Sequence, residues 1–274
     1  MVDPGSGERR LEWRGSGRQV EVWHSSEASS ARTTYPADMT VTVLPDAAAL
    51  ATFSAGLVAA YVRPGVDIAL AGGSTPRAMY EVLADRGVDW TGVDCWFADD
   101  RWVPIDHPDS NAGMALEATR GAVRGSLLPI PHHDAVDPHI AAAQYEDLLR
   151  ARLGDADGVI RPGLVMLGIG DDCHTASLFP GTEALAVTDR DVVANWVPAK
   201  DAWRITTTMA LLHRAEQLVF LVQGPGKADA LAEVLEGDGS TPAARVAAGG
   251  RNVHWLVDEA AAAHLRSTPL HRPS

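Results

Sequence analysis

A chain of 274 residues carries 36 Asp and Glu against 23 Lys and Arg, a formal net charge of −13. That balance argues against nucleic acid or an anionic membrane as the main partner, and no apolar run approaches the roughly 20 residues of a membrane span. Length and a 46% apolar composition allow one large α/β domain or two small ones. With two cysteines there is no disulfide framework, and no basic-then-apolar leader is read, so the expectation is a cytoplasmic protein.

Residues 1–38 are rich in Gly, Ser and Arg and read as a mobile extension, with a short strand conceivable over Arg18 to Trp23 and no role assigned to Trp13 or Trp23. The folded domain is expected over 39–266. It opens with a strand, Met39 to Leu44, followed by an Ala- and Leu-rich helix from Pro45-Asp46 to about Val62. A second strand, Val66 to Ala71, runs into Gly72-Gly73-Ser74-Thr75-Pro76-Arg77, with Thr75 as N-cap and Pro76 as first helical residue. A glycine-opened helix start presents free N–H groups and a positive dipole end, which suits a phosphate, although an ordinary strand-to-helix turn would look the same. Pro76 stands where a nucleophile elbow needs its second glycine, so Ser74 is no nucleophile of that type.

A third strand, Val93 to Ala98, ends in the loop Asp99-Asp100-Arg101-Trp102-Val103-Pro104, where Arg101 is suited to bidentate phosphate or carboxylate binding. Ser110-Asn111 caps the next helix. His132-His133-Asp134 and Asp137-Pro138-His139 resemble metal ligands superficially, but no helical spacing supports them, and Pro129, Pro131 and Pro138 mark a surface loop. A helix over Ala141 to Leu153 follows.

The apolar run Leu164 to Leu167 is a buried strand feeding Gly168-Ile169-Gly170-Asp171-Asp172-Cys173-His174-Thr175-Ala176-Ser177-Leu178-Phe179-Pro180-Gly181. Gly168, Gly170 and Cys173 fall at the spacing of a dinucleotide fingerprint. Pro180-Gly181 forbids the long helix that such a fingerprint needs, so the stretch reads as a polar loop delivering an acid and a histidine to one sheet edge. Beyond it come a strand over Asp191 to Val197, Lys200 and Arg204, and a run from Ile205 to Leu212 read as entering a helix. A strand over Gln217 to Val222 precedes the turn Gln223-Gly224-Pro225-Gly226-Lys227. A short helix over Pro242 to Ala248, a last strand over Val253 to Val257, and an Ala-rich helix capped by Asp258 complete the domain, with a frayed tail over 267–274.

Strands alternating with helices indicate a doubly wound, mainly parallel sheet with helices on both faces. In that architecture the loops at Gly72, Asp99, Gly170 and Gly224 share one edge, where open α/β sheets bind ligands. Its inventory is one His, several acids and the bases Arg77, Arg101, Arg204 and Lys227, which suits water attack on a phosphorylated small molecule with His174 as general base.

Together these motifs resemble the 6-phosphogluconolactonase family of the glucosamine/galactosamine-6-phosphate isomerase superfamily, from about Val41 to Leu265. The resemblance is carried by Gly168 to Gly181 with its His-Thr-Ala-Ser-Leu-Phe-Pro-Gly, by Ala71 to Pro76, Trp96 to Arg101, Asp109 to Asn111, Trp203 to Thr206 and Gly226-Lys227. It implies a sugar-phosphate isomerase/lactonase-like fold and hydrolysis of 6-phospho-D-glucono-1,5-lactone to 6-phospho-D-gluconate in the oxidative pentose phosphate pathway. By it, His174 would activate water and Asp99 would orient His174. Gly72, Gly73, Ser74, Thr75, Arg101, Asn111, Gly170, Asp172, Arg204 and Lys227 would bind the substrate and its phosphate. It implies no cofactor and no metal, a small-molecule sugar-phosphate lactone as partner, and a monomer or weak homodimer. Two departures stand out: Cys173 where the family has Gly before the His, and Asp100 where Glu is common. Cys173 keeps open a catalytically impaired sugar-phosphate-binding homologue. Glucosamine-6-phosphate isomerase/deaminase is the other alternative, although Ser177-Leu178-Phe179-Pro180 lacks the acid that isomerisation requires. A sugar-phosphate sensor would need a DNA-binding segment that residues 1–38 do not supply.

Overall fold

The computed structural model describes residues 10–13, 19–22, 39–132 and 137–273. The chain divides into two compact units, 1–32 and 33–274. In the first, β1 (Arg10–Trp13) pairs antiparallel with β2 (Gln19–Val22), Arg10 opposite Val22. The sequence suggests a strand over Arg18 to Trp23 but not its partner; Trp23 lies outside the described residues.

The second unit follows the β/α alternation. β3 (Met39–Leu44) leads to α1 (Ala47–Tyr61), whose N-cap Asp46 accepts from Ala49 N at 2.8 Å. β4 (Asp67–Leu70) leads to α2 (Ser74–Asp85), and β5 (Asp94–Phe97) is followed by β6 (Asp99–Arg101) and α3 (Asn111–Ala118). Next come α4 (Pro138–Leu153), β7 (Leu164–Leu167), β8 (Val192–Val197), β9 (Ala202–Thr207) and α5 (Met209–Leu212). β10 (Gln217–Val222), α6 (Ala228–Glu236), α7 (Pro242–Gly249) and β11 (Val253–Asp258) close the series.

Six strands form one parallel sheet in the order β3-β11-β10-β7-β4-β5. Strand side chains alternate between faces, and here the alternation builds two cores. Val165, Leu167, Phe220 and Trp255 pack with α4, α6 and α7 on one face; Leu164, Met166, Leu221 and Leu256 pack with α1, α2 and α3 on the other. Cys173 belongs to the first core and Cys95 to the second, and both thiols are free. From β4 the chain winds outward to β5, and from β7 it winds the opposite way through β10 to β11. The strand order therefore reverses between β4 and β7, which opens a crevice at their carboxyl ends. Among the described residues no helix is long and apolar enough to cross a membrane.

Four local expectations are corrected. The α2 helix begins at Ser74, with Gly73 (φ 109°) as N-cap in place of Thr75, because Arg77 N already bonds Gly73 O at 3.1 Å. Asp99–Arg101 and Ala202–Thr207, read as a loop and as the approach to a helix, are strands of a second, antiparallel sheet of order β6-β9-β8; the β-branched run Ile205-Thr206-Thr207 favours that state. The final Ala-rich segment makes only a 3-10 turn, Ala261–His264. The tail is held rather than frayed: Val43 N donates to His271 O and His271 N to Val41 O, both at 2.8 Å, so it covers the open edge of β3.

Candidate active site

The crevice between β4 and β7 is a cleft of about 250 Å3. The turn after β4 supplies Gly72 and Gly73, β6 supplies Asp99 and Arg101, and the head of α3 supplies Asn111. The loop after β7 supplies His174, Ala176, Ser177 and Phe179, and Lys200 and Arg204 close the other side.

The loop after β7 is folded around the histidine. Gly170 N donates to His174 O at 2.9 Å and Cys173 N to Gly170 O at 3.0 Å, while Thr175 Oγ1 donates back to Gly168 O at 2.9 Å. The imidazole stacks on Phe179 with centroids 3.9 Å apart. Its Nδ1 lies 2.5 Å from Asp172 Oδ1. Burial works against the Asp172 carboxylate, yet the bond to His174 and its charge outweigh this and hold the carboxyl below its usual range. An ionised Asp172 fixes the proton on Nδ1 and leaves the lone pair on Nε2. The tightness of the arrangement explains Gly170: a Cβ there would sit 2.0 Å from His174 Nδ1 and 2.6 Å from Asp172 Oδ1.

This geometry corrects the role expected of Asp99. The carboxylate on His174 is Asp172; Asp99 Oδ2 instead accepts from Ser177 Oγ at 2.6 Å. The β6–β9 register sets Asp99 opposite Thr206, whose Oγ1 accepts from Ser177 N at 3.2 Å, so both ends of Ser177 are held. Buried Asn195, which sequence reasoning missed, donates to Ser177 O at 2.9 Å.

The same register sets Arg101 directly opposite Arg204. Like charges face to face across a ladder are destabilising, so the pairing points to an anion rather than to structural need. Arg101 Nη1 donates to Asn111 Oδ1 at 2.6 Å and to Asp109 O at 3.0 Å. The Asn111 side chain occupies the space a Cβ on Gly72 would take, 1.8 Å from its Oδ1. Beneath it, the buried Asp100 carboxylate accepts from the backbone N–H groups of Arg101, Asn111 and Ala112, and burial pushes this carboxyl up to about 6. Burial, then the charge of Arg101, lower the Arg204 guanidinium from its usual value. Arg204 Nη1 is buried and has no hydrogen-bond partner among the described residues. Gly73, the N-cap of α2, lines the cleft, and the helix start has no side-chain cap.

The remaining expected residues fall outside the cleft lining. Ser74 and Thr75 lie within the first turn of α2; Ser74 is exposed and Thr75 half-buried. Arg77 pairs with Glu117 at 2.8 Å. Lys227 donates to Asp171 Oδ1 at 2.6 Å, which ties the turn after β10 to the loop after β7. Lys200, by contrast, lines the cleft and was missed as a site residue; its signal was a base just after the strand-ending Pro198. Cys173 adopts the left-handed conformation (φ 62°), the reason a glycine would be at ease there. Its side chain turns into the core, with Sγ 3.6 Å from Ala230 O, and burial raises the thiol. Asp137 caps α4 by accepting from His139 N, and His139 packs against Trp203; His133 and Asp134 lie outside the described residues. No group of three or more His, Cys, Asp or Glu among the described residues could hold a metal ion.

Comparison with known proteins gives a consistent picture. A family profile described as glucosamine-6-phosphate isomerases/6-phosphogluconolactonase matches residues 44–255. The chain is 38% identical over 240 residues to a 6-phosphogluconolactonase of Nostoc, covering 82% of this chain and 98% of that one. It is 40% identical over 207 residues to one of Synechocystis, covering 73% and 84%. A solved 6-phosphogluconolactonase from Trypanosoma brucei superposes with a TM-score of 0.75 at 25% identity, over 85% of this chain and all of that one. The order of loops around the crevice and these matches over most of the chain lead to one conclusion: the chain belongs to the glucosamine-6-phosphate isomerase/6-phosphogluconolactonase family.

Proposed function

We propose that this protein hydrolyses 6-phosphogluconolactone to 6-phosphogluconate, with His174 as general base. The observation that carries the reading is the content of one cleft: an Asp172-held imidazole together with the bases Arg101, Lys200 and Arg204 and the N-cap Gly73 of the uncapped helix α2. The phosphate takes the bases, among which Arg204 Nη1 lacks a partner among the described residues. The lactone ring then extends toward His174.

In the reaction, Nε2 accepts a proton from water as the water oxygen attacks the lactone carbonyl. Asp172 keeps the proton on Nδ1 and stabilises the imidazolium that forms. The tetrahedral intermediate collapses by breaking the bond to the ring oxygen. That oxygen takes the proton from Nε2, leaving an open-chain carboxylic acid and a neutral imidazole. Ser177, held between Asp99 and the Thr206 hydroxyl, is a fixed hydroxyl beside the ring. Isomerisation of an amino-sugar phosphate needs a further carboxylate to move a proton between carbons. Among the described residues Asp99 is the one acid lining the cleft, and Ser177 engages it. The Cys173 side chain lies in the core and not in the cleft, which supports an active enzyme over an impaired homologue.

The test is proton release from freshly generated 6-phosphogluconolactone beside unphosphorylated glucono-1,5-lactone, with spontaneous hydrolysis subtracted. A strong preference in kcat/KM for the phosphorylated ring is expected. Equal turnover of both lactones, or none of either, would remove the reading.

A further inference from the structure

A second groove of about 410 Å3 adjoins the cleft on its basic side and shares Arg101, Lys200 and Arg204 with it. The reaction as described does not use this space. Its walls are indoles: Trp102, Trp196 and Trp203. Trp196 and Trp203 lie directly opposite in the β8–β9 ladder, with ring centroids 5.5 Å apart and an edge-on angle of 62°. Trp196 is 40% exposed, an unusual position for the largest apolar side chain. Trp102 Nε1 is buried with no hydrogen-bond partner among the described residues. Asp109 and Asp201 complete the lining.

Each feature matches one part of a single ligand class. Shared guanidinium and ammonium groups take a phosphate; the exposed indole of Trp196, backed edge-on by half-buried Trp203, takes a flat heteroaromatic ring by stacking. Carboxylates beside them accept hydrogen bonds from ribose hydroxyls. A hexose phosphate has no aromatic face and is served by the inner cleft, so the indole wall calls for a base. We propose that the outer groove binds a nucleoside monophosphate, its phosphate on the basic trio and its base against Trp196 and Trp203. The phosphate of the nucleotide and that of the lactone claim the same three side chains. Binding is therefore mutually exclusive, and the nucleotide is a competitive inhibitor. This rests on the phosphate assignment made above, but not on the chemistry at His174.

Two readouts separate the proposals. Calorimetric titration of the full chain with AMP and with ribose 5-phosphate needs no lactone. AMP should bind about tenfold more tightly, the gain expected of one stacked base. Trp196→Ala should close that gap while leaving ribose 5-phosphate binding and lactone kinetics unchanged, and Trp196→Phe should restore most of it. In the lactonase assay AMP should raise KM without changing kcat. Equal binding of AMP and ribose 5-phosphate, a gap that survives in Trp196→Ala, or no AMP binding at millimolar concentration would each overturn the inference. Absence of lactone turnover would count against the proposed function alone, since the calorimetry stands without it.

Discussion

Gly170→Ala separates the account of the imidazole from a general account of a tight loop. The added Cβ would lie 2.0 Å from His174 Nδ1, 2.2 Å from Cε1 and 2.6 Å from Asp172 Oδ1. Non-bonded heavy atoms settle at about 3.5 Å or more, so the ring must withdraw by roughly 1.5 Å or the Asp172 contact must break. Gly170 has no positive φ, so alanine meets no backbone strain and the damage falls on the two side chains. A displacement of about 1 Å at a reacting group costs on the order of 100-fold, and kcat should fall by at least that factor. Overpacking should cost about 1–3 kcal/mol in stability, small enough for the variant to fold. The matched control is Gly168→Ala, two residues earlier, where the nearest atom to a Cβ is Leu221 O at 3.8 Å, an ordinary contact. That variant should keep kcat within about twofold and stability within about 1 kcal/mol. Steady-state rates with 6-phosphogluconolactone and thermal melts of both variants decide the matter. A Gly170→Ala enzyme with the native kcat, or equal losses in the two variants, would refute the placement of His174 and Asp172 at the reacting centre.

Three further outcomes are expected. Arg204→Met keeps the aliphatic stem but removes an orphaned buried donor, so KM should rise about 10- to 100-fold, as for loss of a charged hydrogen bond, while the melting temperature of the free protein holds or increases; a parallel fall in stability would show that Arg204 serves the fold instead. Cys173→Gly relieves a left-handed residue, worth about 1 kcal/mol, and gives up a buried thiol worth a similar amount; calorimetry should find little net change and kcat should be unaltered, whereas a large gain in kcat would mean that Cys173 impairs the native enzyme. His254, held by Thr42 Oγ1 at 2.8 Å, is lowered to about 4 by burial and then by His271. Its folded value lies below the unfolded value of about 6.5, so its neutral form contributes stability that is present above pH 6.5 and lost as pH falls toward 4, on the order of 3 kcal/mol. Asp100, raised by burial to about 6, acts in the opposite sense over an overlapping range. The clean measurement is therefore the difference between native and His254→Gln urea melts at pH 7 and pH 4, which should narrow by that amount; a pH-independent difference would contradict it.

Much of the parallel sheet was legible because its strands are apolar runs closed by glycine turns, as at Leu164–Leu167 before Gly168 and Gln217–Val222 before Gly224. The antiparallel sheet was harder to read. β6 is three charged residues, Asp99-Asp100-Arg101, which no hydrophobic pattern marks as a strand, and its state is set by pairing with β9, about a hundred residues away in sequence. Because that pairing was unread, Arg101 and Arg204 were recognised as separate bases, and their face-to-face register, the feature that most favours an anion, was not. The expectation that Asp99 orients His174 missed its partner for a related reason. Asp99 follows the end of β5, whereas Asp172 lies within the loop after β7, and only the turn bonded through Gly170 and Cys173 brings that acid, two residues before the histidine, against Nδ1. Lys227 was read from its glycine turn as a base for a phosphate, and its pairing with Asp171, 56 residues earlier in the chain, carried no sequence signal. The Cys173 departure was legible in the sequence but its conformation was not: the residue takes a positive φ, with the thiol directed into the core.

The most direct test of the central claim is the initial rate on freshly generated 6-phosphogluconolactone for the native chain, His174→Ala and Asp172→Asn, after subtraction of spontaneous hydrolysis. Turnover is expected in the native protein, with kcat lower by about 100-fold or more in His174→Ala, as for loss of a positioned general base, and a smaller loss in Asp172→Asn with KM little changed. A His174→Ala protein that hydrolyses the lactone at the native rate would contradict it.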